Sequence, residues 1–161
     1  MTDTIEVAKD IPAPQQAVWD RVSNHAQTHT WVKAARVRLL EEGRPSPNGL
    51  GALREVSFPD KRFWSTIQER IVSFEPPHIF TYKIVSNMPG LRDHLGALTV
   101  TPLDASRSRL VWHVDFDFKP WHPMAWFAGA FTKTFGGVLA EALEELARQM
   151  SGQQAPVAMT R

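Results

Sequence analysis

The sequence predicts an α+β fold: a curved, seven-stranded antiparallel sheet wrapped around one long C-terminal helix, with two short helices after the first strand. Three observations predict it. Over residues 35–119, apolar and polar residues alternate with the period of half-buried strands. The breaks between those runs are short and rich in Pro, Gly and Asp, so successive strands must be antiparallel neighbours. From Pro123 onward the apolar period changes to that of a helix.

Each element follows from its own residues. Residues 4–11 alternate Ile5, Val7 and Ile11 against Glu6, Ala8 and Asp10, a half-buried strand ended by Pro12 and Pro14. Pro14 can open a helix, where a missing N–H costs nothing, and Ala17, Val18, Arg21 and Val22 keep helical spacing after it. A second short helix is expected over residues 25–31. Six strands are expected at residues 35–42, 51–58, 63–74, 78–85, 93–101 and 108–118. The final helix, residues 123–150, carries Met124, Phe127, Ala128, Phe131, Phe135, Val138 and Leu139 on one stripe and measures about 42 Å if unbroken. Gly136-Gly137 in its middle marks either close packing against another element or a kink. Residues 1–150 form one domain in this reading, and residues 151–161 are a polar tail without period.

Composition narrows the function. The chain has 161 residues, 43% hydrophobic and 22% charged, the balance of a single globular domain. It has no cysteine, which excludes disulfides and thiolate chemistry and fits a cytoplasmic location. The net charge of +1, with its basic residues scattered, argues against nucleic-acid binding. The N-terminus lacks the pattern of a signal peptide, and no apolar run approaches the roughly 20 residues of a membrane span. There is no Gly-rich phosphate loop, Gly-x-Ser-x-Gly elbow or His-Glu-x-x-His motif. His25 and His29 stand four apart, as metal ligands can, but no carboxylate joins them, so neither metal nor cofactor is expected.

The register of the strands places chemistry inside. The turns pair Arg54 with Glu69 and Val56 with Ile67; then Glu69 with Tyr82 and Ile71 with Phe80; then Ile84 with His94 and Phe80 with Leu98; then Leu98 with Trp112 and His94 with Phe116. One face then holds Val56, Ile67, Phe80, Leu98, Trp112 and Phe116, interrupted by Arg54, Glu69, Tyr82 and His94. Arg54 and Glu69, directly opposite, form either a structural ion pair or the polar end of a ligand cavity. Tyr82 directs its hydroxyl toward Glu69. His94 is either a structural histidine or a proton carrier. Six Trp and nine Phe against one Tyr exceed ordinary packing, and Trp121 and Trp126 suit a cavity lid or a surface patch.

Several stretches carry a resemblance. They are Ile5-Glu6-Val7, Ile11-Pro12-Ala13-Pro14, Val18-Trp19-Asp20-Arg21-Val22-Ser23-Asn24 and Trp31; then Gly49-Leu50-Gly51-Ala52-Leu53-Arg54-Glu55-Val56; then Gln68-Glu69-Arg70-Ile71, Glu75-Pro76-Pro77 and Phe80-Thr81-Tyr82; and last Arg107-Ser108-Arg109-Leu110-Val111-Trp112. Over roughly residues 4–150 the chain resembles the polyketide cyclase/dehydrase family of the START and birch-pollen-allergen (SRPBCC) superfamily. The resemblance implies a helix-grip fold with a cavity between sheet and helix that binds a lipid, hormone or aromatic polyketide, with cyclase or dehydratase chemistry in some members. No catalytic motif carries over residue by residue. The candidate acid–base residues are Glu69 and His94. The candidate ligand-binding residues are Arg54, Ile67, Tyr82, Leu98, Trp112, Phe116, Phe131 and Phe135. The expected partner is a small hydrophobic ligand, and a homodimer is left open. A non-catalytic carrier or sensor and a co-chaperone-like interaction module are the alternatives.

Overall fold

The computed structural model describes residues 2–60, 66–86 and 88–152. Strand β1 (Thr2–Ile11) is followed by helix α1 (Gln15–Val22) and a 3₁₀ turn (His25–Thr30). Then come β2 (Arg36–Glu41), β3 (Leu53–Ser57), β4 (Thr66–Glu75), β5 (Ile79–Ile84), β6 (Leu91–Pro102) and β7 (Ser108–Phe118). Helices α2 (Pro123–Trp126) and α3 (Ala128–Gly152) end the described chain. The seven strands form one antiparallel sheet in the order β1-β7-β6-β5-β4-β3-β2, and α3 packs on its inner face. This is the helix-grip arrangement. The first residues of the strand expected at 63–74 fall outside the described residues, as does the tail beyond Gly152.

Three of the four registers stand as the turns dictate: Arg54 faces Glu69, Phe80 faces Leu98, and His94 faces Phe116. The β4–β5 pairing differs by two residues. Glu69 lies opposite Ile84, and Ile71 opposite Tyr82. The cause is the turn, which is closed by His78 N–H on the Glu75 carbonyl (2.8 Å) and so sits later than the expected centre. The turn register alone, Glu75 opposite Ile79, would bring Ile71 against Lys83 and set inward against outward side chains. The irregularity between Ile71 and Ser73 inserts Val72 as an extra, exposed residue and restores every side chain to its face. At its far end the β5–β6 ladder stops at Tyr82 and Gly96. There the Ile84 N–H donates to His94 Nδ1 (3.2 Å) in place of a backbone pair.

The C-terminal helix also departs from expectation. Its break falls at Phe127, whose backbone leaves the helical region, and not at Gly136-Gly137, which α3 passes through unbroken. His122 caps α2, its Nδ1 accepting from the Met124 N–H, and Pro123 takes the first helical position. The break resets the helical phase. Phe127, expected on the inward stripe, is 62% exposed, whereas Phe131 and Phe135 turn toward the sheet. Gly136 supports the close-packing reading, since a Cβ there would lie 3.4 Å from Ile5 Cγ2. The two ends of α3 are anchored unequally. Leu139, Ala142, Leu143, Leu146, Ala147 and Met150 are buried toward its C-terminus, and Gln149 bonds the Thr30 carbonyl and Arg21. Before Leu139 only Ala128 is buried.

At Gly137 an added Cβ meets nothing within 4 Å. Gly137→Ala is therefore expected to stabilise the protein by about 0.5–1 kcal/mol through helix propensity alone. Urea unfolding checks this, and an unchanged or lower midpoint would count against an unobstructed helical site at Gly137.

Candidate functional site

Strand alternation puts Arg54 (β3) and Glu69 (β4) side by side on the inner face, 5% and 6% exposed. Arg54 Nε donates to Glu69 Oε2 at 2.8 Å, and Nη2 lies 2.8 Å from the same oxygen in an ion pair. Glu69 Oε1 receives no hydrogen bond from the described residues. The guanidinium also stacks 4.6 Å from the Tyr82 ring centroid. Its Nη1 meets His25 Nδ1 at 3.0 Å. Because a guanidinium can only donate, Nδ1 must be the acceptor. The proton then sits on Nε2, which donates to the Asn48 carbonyl at 3.0 Å. Burial and the Arg54 charge together lower the His25 pKa to about 3, so the ring is neutral. Both of its nitrogens are occupied, and among the described residues no three His, Asp or Glu gather as metal ligands.

Glu69 has its pKa raised, because burial outweighs the opposing pull of Arg54. Tyr82 is raised chiefly by burial as well. Its hydroxyl accepts from Trp112 Nε1 at 2.9 Å rather than meeting Glu69, a consequence of the two-residue shift in the β4–β5 register. Gly96 makes room for that ring: a Cβ at this position would lie 2.1 Å from Tyr82 Cζ. His94 is 4% exposed behind Tyr82, with its pKa lowered to about 4 by burial first and by Arg54 second. It accepts at Nδ1 from Ile84, so its own proton is on Nε2.

Between sheet and α3 lies a cavity of about 50 Å³, walled largely by apolar side chains. Of the residues singled out in the sequence, Arg54, Glu69, Tyr82, Leu98, Trp112 and Phe135 line it. Ile67, His94, Phe116 and Phe131 are not among its lining residues: Ile67 is half-buried against the core, Phe131 packs edge-on against Phe116 (5.0 Å), and His94 packs against Phe116 (4.9 Å). Trp121 and Trp126 are 72% and 75% exposed, a surface patch rather than a lid. Sequence reasoning passed over His25 as a partner of Arg54, because Asn48, which orients it, lies on a remote loop. It also passed over Thr28 and Trp31, which line the cavity from the 3₁₀ turn and its end.

The model of the family described as "Polyketide cyclase / dehydrase and lipid transport" matches residues 2–151. The chain belongs to this family, part of the SRPBCC superfamily. No curated protein matches it. Among solved structures it is similar to the Zhui aromatase/cyclase from Streptomyces sp. R1128, with a TM-score of 0.77, 16% identity and coverage of 99% of this chain and 100% of that one. It is similar to norcoclaurine synthase from Thalictrum flavum in complex with dopamine and hydroxybenzaldehyde, with a TM-score of 0.73, 12% identity and coverage of 97% and 90%. A Thermobifida fusca protein shares 24% identity at a TM-score of 0.74, covering 94% and 95%. At these identities the likeness is one of fold. Family and fold together define a protein built around an apolar ligand cavity. Among the described residues no helix is long and apolar enough to cross a membrane.

Two predictions follow from the buried charges. Glu69→Ala strands Arg54 in the interior and should cost roughly 3–5 kcal/mol, whereas the pair Arg54→Met/Glu69→Leu should cost less. Denaturant unfolding of both variants decides it, and equal losses would contradict burial of the pair. The second concerns pH. Unfolded histidine binds a proton near pH 6.5, but His25 and His94 in the folded state resist until about 3 and about 4. Between these values the unfolded chain holds more protons, so the stabilisation is complete above pH 6.5 and falls as the pH drops. The slope should approach about 1.4 kcal/mol per pH unit for each ring. His113, raised by its bond to Glu6, stabilises the fold fully below pH 6.5 and loses that stabilisation only at higher pH, so it adds no slope between pH 6 and 5. His94→Gln should remove about half of the slope between pH 6 and 5, measured by urea midpoints.

Proposed function

We propose that this protein binds a small, largely apolar molecule of aromatic or polyketide-like character between the sheet and α3. The polar wall of Arg54, Glu69 and Tyr82 orients the guest. The observation that carries the reading is the buried Arg54–Glu69 pair on the wall of an otherwise apolar cavity. A plain core is as stable or more so without such a pair, whereas a ligand site uses a few placed polar groups in an apolar lining. The cavity, at about 50 Å³, is smaller than the roughly 300–1,000 Å³ of sites for drug-sized ligands. A guest larger than a few atoms therefore has to displace the lightly buried half of α3 that carries Phe131 and Phe135.

The chemistry this wall suits is proton transfer during carbon–carbon bond formation within the guest. Glu69, with its raised pKa and free Oε1, takes a proton from a methylene between two carbonyls. The enolate carbon attacks a further carbonyl of the same molecule, and the proton returns from Glu69 to the new alkoxide. Loss of water then completes a cyclisation and dehydration. The Tyr82 hydroxyl, which accepts from Trp112, keeps its own proton to donate to the developing oxyanion. His94, behind Tyr82, supports the position of that ring. The solved aromatase/cyclase and norcoclaurine synthase of the same fold lend weight to this reading.

One observation favours a second reading, an interaction module: Trp121, Trp126 and Phe127 form an exposed aromatic patch. Native mass spectrometry of the purified protein, followed by a screen of aromatic polyketides, fatty acids and sterols, separates the two. Saturable binding of at least one class, with a change in Trp112 fluorescence, is expected. Glu69→Gln should alter the affinity, and abolish any turnover, with the fold intact. If no class binds, the interaction reading takes precedence.

A further inference from the structure

We infer that Trp31 Nε1–H and Thr28 Oγ1 together recognise an uncharged oxygen, a ketone carbonyl or a hydroxyl, on the apolar guest of the cavity. This rests on the ligand-binding reading above and adds the chemical class of the guest. Thr28 and Trp31 are three residues apart at the 3₁₀ turn, where the Trp31 N–H bonds the Thr28 carbonyl (3.2 Å). In 3₁₀ geometry such residues share one face, and both residues line the cavity. They are 7% and 1% exposed, yet Thr28 Oγ1 and Trp31 Nε1 have no hydrogen-bond partner among the described residues.

The contrast with Trp112 sharpens the point. Its ring lies 5.6 Å from that of Trp31, on the same cavity, and its N–H is taken by Tyr82. Arg54 is likewise taken, by Glu69 and His25. Among the described residues that line the cavity, Thr28 and Trp31 are thus the ones with a fully buried polar atom left without a hydrogen-bond partner. An unpaired buried donor is costly, and a partner that enters the cavity removes that cost. An indole N–H can only donate, so the partner must carry an acceptor. The threonine hydroxyl can donate to the same oxygen or accept from a hydroxyl. A carboxylate does not suit the place. Arg54 is already shared, and the Glu69 carboxylate lies on the same wall, so a second buried anion would be uncompensated.

Acetophenone and α-methylstyrene, identical in shape apart from C=O in place of C=CH₂, test this. Acetophenone should bind about tenfold more tightly to the wild-type protein. Thr28→Val, which keeps the shape and removes the hydroxyl, and Trp31→Phe should each shrink that ratio while leaving α-methylstyrene affinity nearly unchanged. In protein labelled with ¹⁵N-tryptophan, the Trp31 indole N–H resonance should move downfield with acetophenone and not with α-methylstyrene. Equal affinities and equal shifts for the two probes would mean that the pair is satisfied by water alone; this inference would fall, and the cavity reading would stand. Binding of neither probe, with no indole resonance disturbed, would overturn both. If Trp31→Phe does not fold, Thr28→Val and the wild-type resonance decide the matter.

Discussion

The charge of Arg54 is the constraint around which this structure is arranged. A guanidinium on the inner face of a sheet has left water at a cost of several kcal/mol and must be met on every side. Glu69 meets it across the β3–β4 ladder, the Tyr82 ring lies against its face, and His25 takes its remaining edge. Each of these partners fixes something further away. His25 can accept from Arg54 only as the Nε2–H tautomer, which draws in the Asn48 carbonyl and ties that loop to the 3₁₀ turn. Tyr82 can lie flat against the charge only because Gly96, opposite it, has no side chain. The same charge helps to keep His25 and His94 neutral, so one ionised pair sets the protonation of its neighbourhood.

How far the sequence reveals this depends on whether a feature is local. Strand alternation and short turns specify which residues face inward, and Arg54, Glu69, Tyr82 and His94 all lie there as expected. Register across a tight turn is equally legible where the turn residues are unambiguous, as between β6 and β7. Between β4 and β5 it is not. Two prolines leave the centre of the turn open, and a bulge at Val72 compensates for the shift. Facing is therefore recovered while the pairing is displaced, and the Tyr82 hydroxyl goes to Trp112 instead of Glu69. The contact between His25 and Arg54 was beyond reach for a different reason. It spans 29 positions and depends on a loop conformation that no periodicity encodes. The helix break at Phe127 was hidden because Gly136-Gly137 is the stronger breaker by propensity, yet packing against Ile5 favours a glycine there without bending the helix.

The same contrast explains how a nearly filled interior can serve as a binding site. From Leu139 onward α3 is held by buried aliphatic residues and by Gln149, which bridges to Thr30 and Arg21. The half before it is held mainly by the stacked, only partly buried pair Phe131 and Phe135 against Phe116, Phe118 and Phe58. Free energy of local opening follows buried apolar contact, so the two halves differ in how readily they separate from the sheet. The boundary between them falls near Gly136-Gly137, the helix segment with the least side-chain bulk. Phe135 is both a wall of the cavity and part of the weaker half, so displacing it would enlarge the cavity that Glu69 and Tyr82 line. The rigid half keeps the 3₁₀ turn, and with it Thr28 and Trp31, fixed in place. A guest would therefore be gripped between an immobile polar end and a yielding aromatic one.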